Sequence, residues 1–461
     1  MNHPQHGIGP TRILADWVAG LHCADLPPRT RERVREALLD TIASALYGRN
    51  TPWTRAVLGW ARAGGGGSQA TVLGEARPSL RASEAALVNA TSAHAFELDD
   101  YHQAKLHPGA VVIPAALALG ERVGADGERL LAAIAAGYEV MIRSSLALEP
   151  AAARLRGWHL TGVCGPLGAA AAGAVLLGLD AERSAWALGL GGTQGAGLWA
   201  FNADGAMSKR LHGGKAAECG VLAAELAEQG YTGPTLLYEA PDGGFLRAYS
   251  DASDPLPLVE GLGRNWRLDS TAVKPYSCCG SLHAYVDAAR ELRERHGRDA
   301  LLRAPIRAGL PRVIEVQCGF DYAPSTELNA QMSARYCVAA ALEDGNALPP
   351  QFAAGRIARA DTVARAARIE LVHDPELDEI YPREFCGWVE ADIDGRRERV
   401  FRRNPSGSPA LPLDFEGIAA KYRPLLGDAA VARIADAAGQ VERLGARGVV
   451  AAVAGCAATT N

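Results

Sequence analysis

The stretch LTGVCGPLGAAAAGAVLLGL, from Leu160 to Leu179, carries no charged side chain. A run of that length either crosses a bilayer or is covered by protein on every side. Glycine and proline interrupt it and alanine is only weakly apolar, so it reads as a buried helix rather than a membrane span. A helix that hides its whole circumference needs other helices around it, packed closely where the contact residues are small. The chain can supply them: it has 51 glycines, abundant alanine, and only 6% aromatic residues. At 461 residues it is also too long for one ordinary core, which predicts two domains.

Helical patterns fill the first 260 residues or so. RTRERVREALLDTIASALY, Arg29 to Tyr47, has an apolar stripe at helical spacing behind a charged first turn. Pro108 to Val123 gives an Ala/Leu helix, and Asp126 and Asp180 stand as N-caps of the helices that follow them. GGGGS at Gly64 to Ser68 is a surface loop rather than a domain linker, because helices resume soon after it. Near Asn265 the texture changes. RVIEVQC from Arg312, ARIELVHD from Ala367 and WVEADIDGRRERVFRRN from Trp388 alternate like strands, the last around an Asp394-Gly395 hairpin signal. Helical patterns intervene at Ser281 to Arg295 and Ala330 to Glu343, and helices return after Pro405-Ser406-Gly407. The predicted fold is therefore mainly α with an inserted α/β domain: a large helical domain over 1–266, completed by 405–461, and a smaller α/β domain over 267–404. A cleft between two such domains is a usual place for a small ligand.

The formal charge is −5 with no long Lys/Arg block, which gives nucleic acid little to hold. The nine cysteines show no CxxC spacing, and the start MNHPQHGIGPTRILADW lacks a signal-peptide pattern. Reduced thiols, a cytoplasmic location and no membrane or nucleic-acid partner are the expectations.

Chemistry-bearing residues gather in four places. HAFELDDYHQAKLHPG, His94 to Gly109, packs three histidines, three carboxylates and a tyrosine together. General acid/base work, a helix cap with solvated histidines, and a metal site of Asp99, Asp100, His102 and His107 are all compatible with it. NADGAMSKRLHGGKAAECG, Asn202 to Gly220, holds Lys209, Arg210, His212 and Lys215 at the start of a helix, either an anion site or a solvated basic turn. KPYSCCGSLH, Lys274 to His283, carries Cys278 and Cys279, for which nucleophile, ligand and plain packing all stay open. Arg156-Gly157-Trp158-His159 precedes the buried helix. GAGLWA at Gly195 to Ala200 matches G-x-G-x-x-A, but no strand precedes it and no helix follows, so it is not a dinucleotide fingerprint.

In this order, HAFELDDYH…HPG, GWHLTGVCGPLGAAAA, DGAMSKRLHGGKAAECG, KPYSCCGSLHAYVDAA and NAQMSARYCVAAAL resemble the MmgE/PrpD family. The resemblance implies a large helical domain with a smaller α/β domain, a homodimer, and catalysis without organic cofactor or metal. Its members include 2-methylcitrate dehydratases, cis-aconitate decarboxylases and iminodisuccinate epimerases. Carried over position by position, it implies His107, His159, Lys209, Tyr336 and Glu97 as catalytic residues. Asp100, Tyr101, Arg210, Lys274 and Cys279 are the candidates for binding substrate. Glu97, Tyr101 and Cys279 stand where the decarboxylase branch has aspartate, threonine and histidine.

The family's reactions share a carbanion beside a carboxylate, which fixed cations and N–H groups stabilise while histidine or tyrosine moves the proton. The expectation is a cofactor-independent lyase acting on a small di- or tricarboxylate. Dehydration of the 2-methylcitrate type stands first, with epimerisation or cis-aconitate decarboxylation as alternatives. A metal-assisted hydrolase and a non-catalytic polycarboxylate binder are the rival classes.

Overall fold

The computed structural model describes residues 9–381 and 383–456. Most of them are helical, and one small mixed sheet lies in the C-terminal half. The uncharged stretch forms the helix Leu160–Leu177, with Gly109–Val123, Gly127–Ala147, Ala181–Gly192 and Ser208–Glu228 packed around it. Its apolar window is 89% buried inside the protein, and that of Gly127–Ala147 is 94% buried, so other helices take the place of lipid.

Small residues set these approaches. Gly137 and Gly168 face each other across the two long helices, and a Cβ on either would lie 2.8 Å from the other's carbonyl oxygen. We expect Gly168→Val to lower stability by about 1–3 kcal/mol through overpacking. Urea denaturation measures it; an unchanged midpoint would contradict the close packing.

Local signals act as read. Asp126 and Asp180 each accept the backbone N–H three residues on, at 2.8 Å, and so cap their helices. The pattern from Arg29 forms the helix Pro28–Gly48. Helices Phe415–Leu426, Asp428–Gly439 and Val441–Ala452 return to pack on Pro28–Gly48, Gly109–Val123 and Gly127–Ala147. One hydrophobic core joins buried residues between Leu14 and Val273 with those between Ile418 and Cys456. A second gathers residues between Tyr276 and Val400, together with Phe201.

The sheet has the order β2-β1-β3-β4, with β1 Ile306–Leu310, β2 Glu370–His373, β3 Gly387–Ile393 and β4 Arg396–Arg402. β1 runs parallel to β2 and antiparallel to β3, which forms the hairpin with β4. Asp394 and Gly395 both take positive φ, 52° and 82°, as a type I′ turn requires. The helix His283–His296 packs on β3 and β4, and Ala334–Asp344 packs on that helix.

One predicted strand is a helix. RVIEVQC forms Arg312–Cys318, entered through Pro311. Ile314 and Cys318, four residues apart, are its buried residues, while Val313 and Val316 are exposed. An apolar run this short fits both periods, and the tertiary contact chose the helical one. β1, the strand missing from the sequence reading, is only five residues long and contains Gly309, whose bare Cα lets the Trp388 indole lie against it.

Candidate active site

The acid/base stretch begins where the helix Ala82–Ala93 stops, with His94 at its C-cap. The chain then turns through Glu97, bridges to Ala272 through both backbone groups of Tyr101, and enters the next helix at Gly109. Glu97 and Lys105 take φ of 55° and 58°, a left-handed conformation that non-glycine residues seldom adopt. Such strain persists where the surroundings hold it, and here both residues line one pocket.

That pocket, a cavity of about 90 Å³, lies where the two hydrophobic cores meet. Glu97, Tyr101, His107, His159, Lys209, Lys274 and Cys279 are brought together in its wall. Lys209, in the first turn of Ser208–Glu228, donates to one oxygen of Glu97, and Lys274 donates to the other at 2.8 Å. All three side chains are buried. Burial pushes both ammonium groups below lysine's ordinary value, and for Lys209 the charges of Lys274 and Arg210 add to it. Two cations against one carboxylate leave an uncompensated positive charge facing the cavity. Lys105 and Arg154, neither with a carboxylate partner among the described residues, line the same wall. Arg154 lies over the Trp199 ring at 3.7 Å, and burial holds it down to about 10.

Behind the wall, Asp99 organises the imidazoles. Its Oδ2 lies 2.7 Å from His94 Nδ1 and 3.2 Å from His107 Nδ1. Burial alone would raise this carboxyl, but the two imidazoles outweigh it and hold Asp99 well below the usual carboxylate range. Burial takes His94 down to about 4 against the pull of Asp99. An ionised Asp99 therefore accepts the Nδ1–H of a neutral His94 and orients His107. His107 Nδ1 also lies 2.9 Å from the Asp100 carbonyl, which leaves Nε2 for the pocket. His159, at the N-cap of Leu160–Leu177, stacks on His94 at 5.9 Å and 16°, and its Nδ1 lies 3.0 Å from His212 Nδ1. Burial takes His159 well below its ordinary value.

Cys279 is buried among thiols, its Sγ taking Gln317 Nε2 at 3.8 Å. The Cys318 thiol first, against burial, and then the Ser281 N–H and both lysines bring it down to about 5. Cys278 is wholly buried in the adjoining core. Tyr101, stacked on Phe385 at 5.8 Å, closes the opposite side, and a Cβ on Gly280 beneath it would come within 3.2 Å of its ring.

Three predicted residues do not line the cavity. Asp100 lies behind it, accepting Gly109 N–H at 2.8 Å and Tyr138 O–H at 2.7 Å, and burial raises its carboxyl to about 7. Arg210 packs on the Trp53 ring at 4.8 Å and donates to the Ala95 carbonyl at 3.3 Å. Tyr336 belongs to the second core, its hydroxyl donating to the Gln351 carbonyl and its ring against Tyr322 and Phe352. Ser333 caps that helix and turns the tyrosine inward. The four-residue metal set is also dispersed, since Asp100 is spent on Gly109 and Tyr138 and His102 Nδ1 accepts the Ala104 N–H at 3.0 Å. His94, Asp99 and His107 come close enough to share an ion; Asp99 Oδ2 already lies within hydrogen-bond distance of both Nδ1 atoms, while His94 Nε2 and Asp99 Oδ1 have no hydrogen-bond partner among the described residues.

The sequence reading passed over His94, Lys105, Arg154 and Trp199 as site residues. His94 meets His107 through Asp99 and by an edge contact of the rings at 4.9 Å, and Arg154 arrives on the short helix Pro150–Leu155, so neither leaves a spacing signal.

Residues 12–257 match the MmgE/PrpD N-terminal domain and residues 276–443 the MmgE/PrpD C-terminal domain. The chain belongs to the MmgE/PrpD family. The MmgE/PrpD C-terminal match runs on into the last helices, although those helices share the core of the N-terminal ones. The chain is similar to the cis-aconitate decarboxylase of Aspergillus terreus (strain NIH 2624 / FGSC A1156), with 31% identity over 444 residues, 91% of this chain and 89% of that protein. It is 31% identical over 403 residues, 82% of each chain, to the cis-aconitate decarboxylase-like protein oryM of Aspergillus oryzae. The human cis-aconitate decarboxylase is 30% identical over 376 residues, 79% of this chain and 77% of its own.

Proposed function

We propose that this MmgE/PrpD protein is a lyase that removes carbon dioxide from a cis-aconitate-type tricarboxylate by acid/base chemistry alone. The observation that carries the reading is the lining of the pocket. Lys209, Lys274, Lys105 and Arg154 face it with Glu97 as the only acidic side chain among the described residues, and the imidazoles of His107 and His159 stand beside them. Several carboxylates can be held there while one reacts. The likeness to decarboxylases over nearly the whole chain supports the choice of bond.

In this reading the lysines hold the carboxylates that stay. When the carboxylate on the saturated arm departs as carbon dioxide, its bonding pair shifts through the double bond. The charge arrives at the carbon beside the far carboxylate and spreads onto its oxygens, next to Lys209 and Lys274. Fixed charges of this kind act most strongly where water is excluded. His107 or His159 then delivers a proton to that carbon, giving a methylene-bearing dicarboxylate. Asp99 holds the His107 ring for the transfer, and Glu97 keeps the two ammonium groups apart and aimed.

A second reading, dehydration of a hydroxylated tricarboxylate, draws on the same parts. Tyr101 and Cys279 favour it, because they narrow the pocket and put a thiol where the decarboxylase branch has a histidine. Cys279→Ser discriminates between them. We expect it to stay folded and to change rate or substrate preference by roughly tenfold, comparable to one hydrogen bond to a charged group. Loss of a stoichiometric zinc together with unfolding would contradict the account. A homodimer belongs to the same proposal, and sedimentation equilibrium tests it.

Binding is tested by thermal shift with cis-aconitate, citrate, 2-methylcitrate, malate and matched monocarboxylates. Tricarboxylates should raise the melting temperature most. Stabilisation by monocarboxylates alone would overturn the proposal.

A further inference from the structure

His212 has no part in the chemistry above, yet it is tied to a histidine that does. The two Nδ1 atoms of His159 and His212 lie 3.0 Å apart. A hydrogen bond between two ring nitrogens holds one proton, so each ring must take the tautomer complementary to the other. His159 is buried and lines the pocket, which leaves its Nε2 for substrate. His212 is partly exposed, against Gly197 and the edge of Phe201. No carboxylate lies within ion-pair distance of either ring among the described residues; the neighbouring charges and imidazoles are Lys209, Arg154, His94 and His107. Burial favours the neutral form of both rings, which keeps the count at one shared proton.

We infer that His212 is a positioning residue that switches His159 between proton donor and proton acceptor by moving the single proton held between their Nδ1 atoms. This rests on the acid/base reading of the pocket. With the shared proton on His212, His159 carries its own on Nε2, facing substrate. As the Nε2–H bond breaks and the proton joins the substrate carbon, the His212 Nδ1–H proton passes to His159 Nδ1. His212 takes a proton from solvent on its Nε2, and both rings stay neutral. His159 now presents a bare Nε2, a base. The pair resets when that nitrogen takes a proton through the emptied pocket. The shared proton then returns to His212, which releases its Nε2 proton to solvent. The net change is one solvent proton delivered to carbon, without opening the pocket at the moment of transfer.

The test uses the full chain, His212→Gln and His212→Asn. We expect kcat on cis-aconitate to fall on the order of 10²-fold with KM changed less than threefold, and added imidazole buffer to restore a large part of the loss in proportion to its concentration. Turnover within twofold of the parent, or a loss that imidazole leaves untouched at any concentration, would overturn the inference. Side-chain ¹⁵N spectra of the resting parent give a readout independent of turnover and of the variants' folding. One downfield ring N–H shared by two Nδ1 sites, lost in His159→Gln, is expected. Two histidines with unconnected Nδ1 sites would refute the switch. A parent inactive on every tricarboxylate but showing the shared proton would sink the functional proposal and leave the pairing standing.

Discussion

Lys209→Ala should lower turnover of the proposed tricarboxylate substrate by about 10²–10³-fold while the protein stays folded. Lys209 is buried, donates to Glu97 and faces the cavity beside His107 and His159, so its charge lies where the proposed reaction develops negative charge. Removing one member of a buried ion pair usually leaves a stranded charge. Here it does not, because Glu97 keeps Lys274 at 2.8 Å and the cluster passes from two cations and one anion to a balanced pair. The catalytic loss should therefore far exceed the stability loss. Steady-state kinetics beside a thermal melt checks both; near-normal turnover would remove Lys209 from the mechanism.

Lys421→Ala should give the opposite pattern, a large loss of stability. Asp40 lies wholly buried in the helix Pro28–Gly48, and Lys421 on the returning helix is the one ammonium group among the described residues that reaches it, at 2.6 Å. The Tyr422 hydroxyl adds a contact at 2.9 Å but no charge. Without the lysine, Asp40 is left as an uncompensated buried carboxyl, at a cost of about 3–5 kcal/mol. Lys421 also donates to the Leu98 carbonyl at 2.8 Å, so the turn that carries Asp99 should loosen and activity should fall with stability. Denaturant unfolding measures the first effect. A loss below about 1 kcal/mol would mean water reaches Asp40 in the variant. Replacing both partners, Asp40→Leu with Lys421→Met, should recover much of the difference, since a well-packed apolar pair rivals a buried ion pair.

The contrast between the two lysines marks what sequence can and cannot reveal. Helices were legible where a local rule decides them: Asp126 and Asp180 cap because a short carboxylate reaches the N–H three residues on, whatever lies beyond. The Asp394-Gly395 hairpin was legible for the same reason. RVIEVQC was misread because its period was settled by which residues met the core, which is a tertiary fact. In the site, segments that matched a known family pattern supplied His107, His159, Lys209, Lys274 and Cys279, and the structure puts them in one wall. The pairing that gives them chemistry was hidden. Nothing in the spacing of His94, Asp99 and His107 says that one carboxylate serves both rings, nor that Glu97 takes two lysines from segments 112 and 177 residues away. Arg210, adjacent to Lys209 in sequence, points to the Trp53 ring instead of the cavity, because successive helical residues face different sides.

The proposed reaction breaks a carbon–carbon bond in a tricarboxylate and returns a proton to carbon without a cofactor. Incubating the pure protein with cis-aconitate in deuterium oxide and following the proton spectrum tests it most directly. Expected are the loss of one carbon as carbon dioxide and a methylene-bearing dicarboxylate carrying one deuterium beside its far carboxylate, at a rate lowered about 10²–10³-fold by Lys209→Ala. Unchanged cis-aconitate, with citrate and 2-methylcitrate converted to their dehydrated products, would contradict decarboxylation and establish the hydro-lyase reading. No turnover or proton exchange in any tricarboxylate would contradict the acid/base site itself.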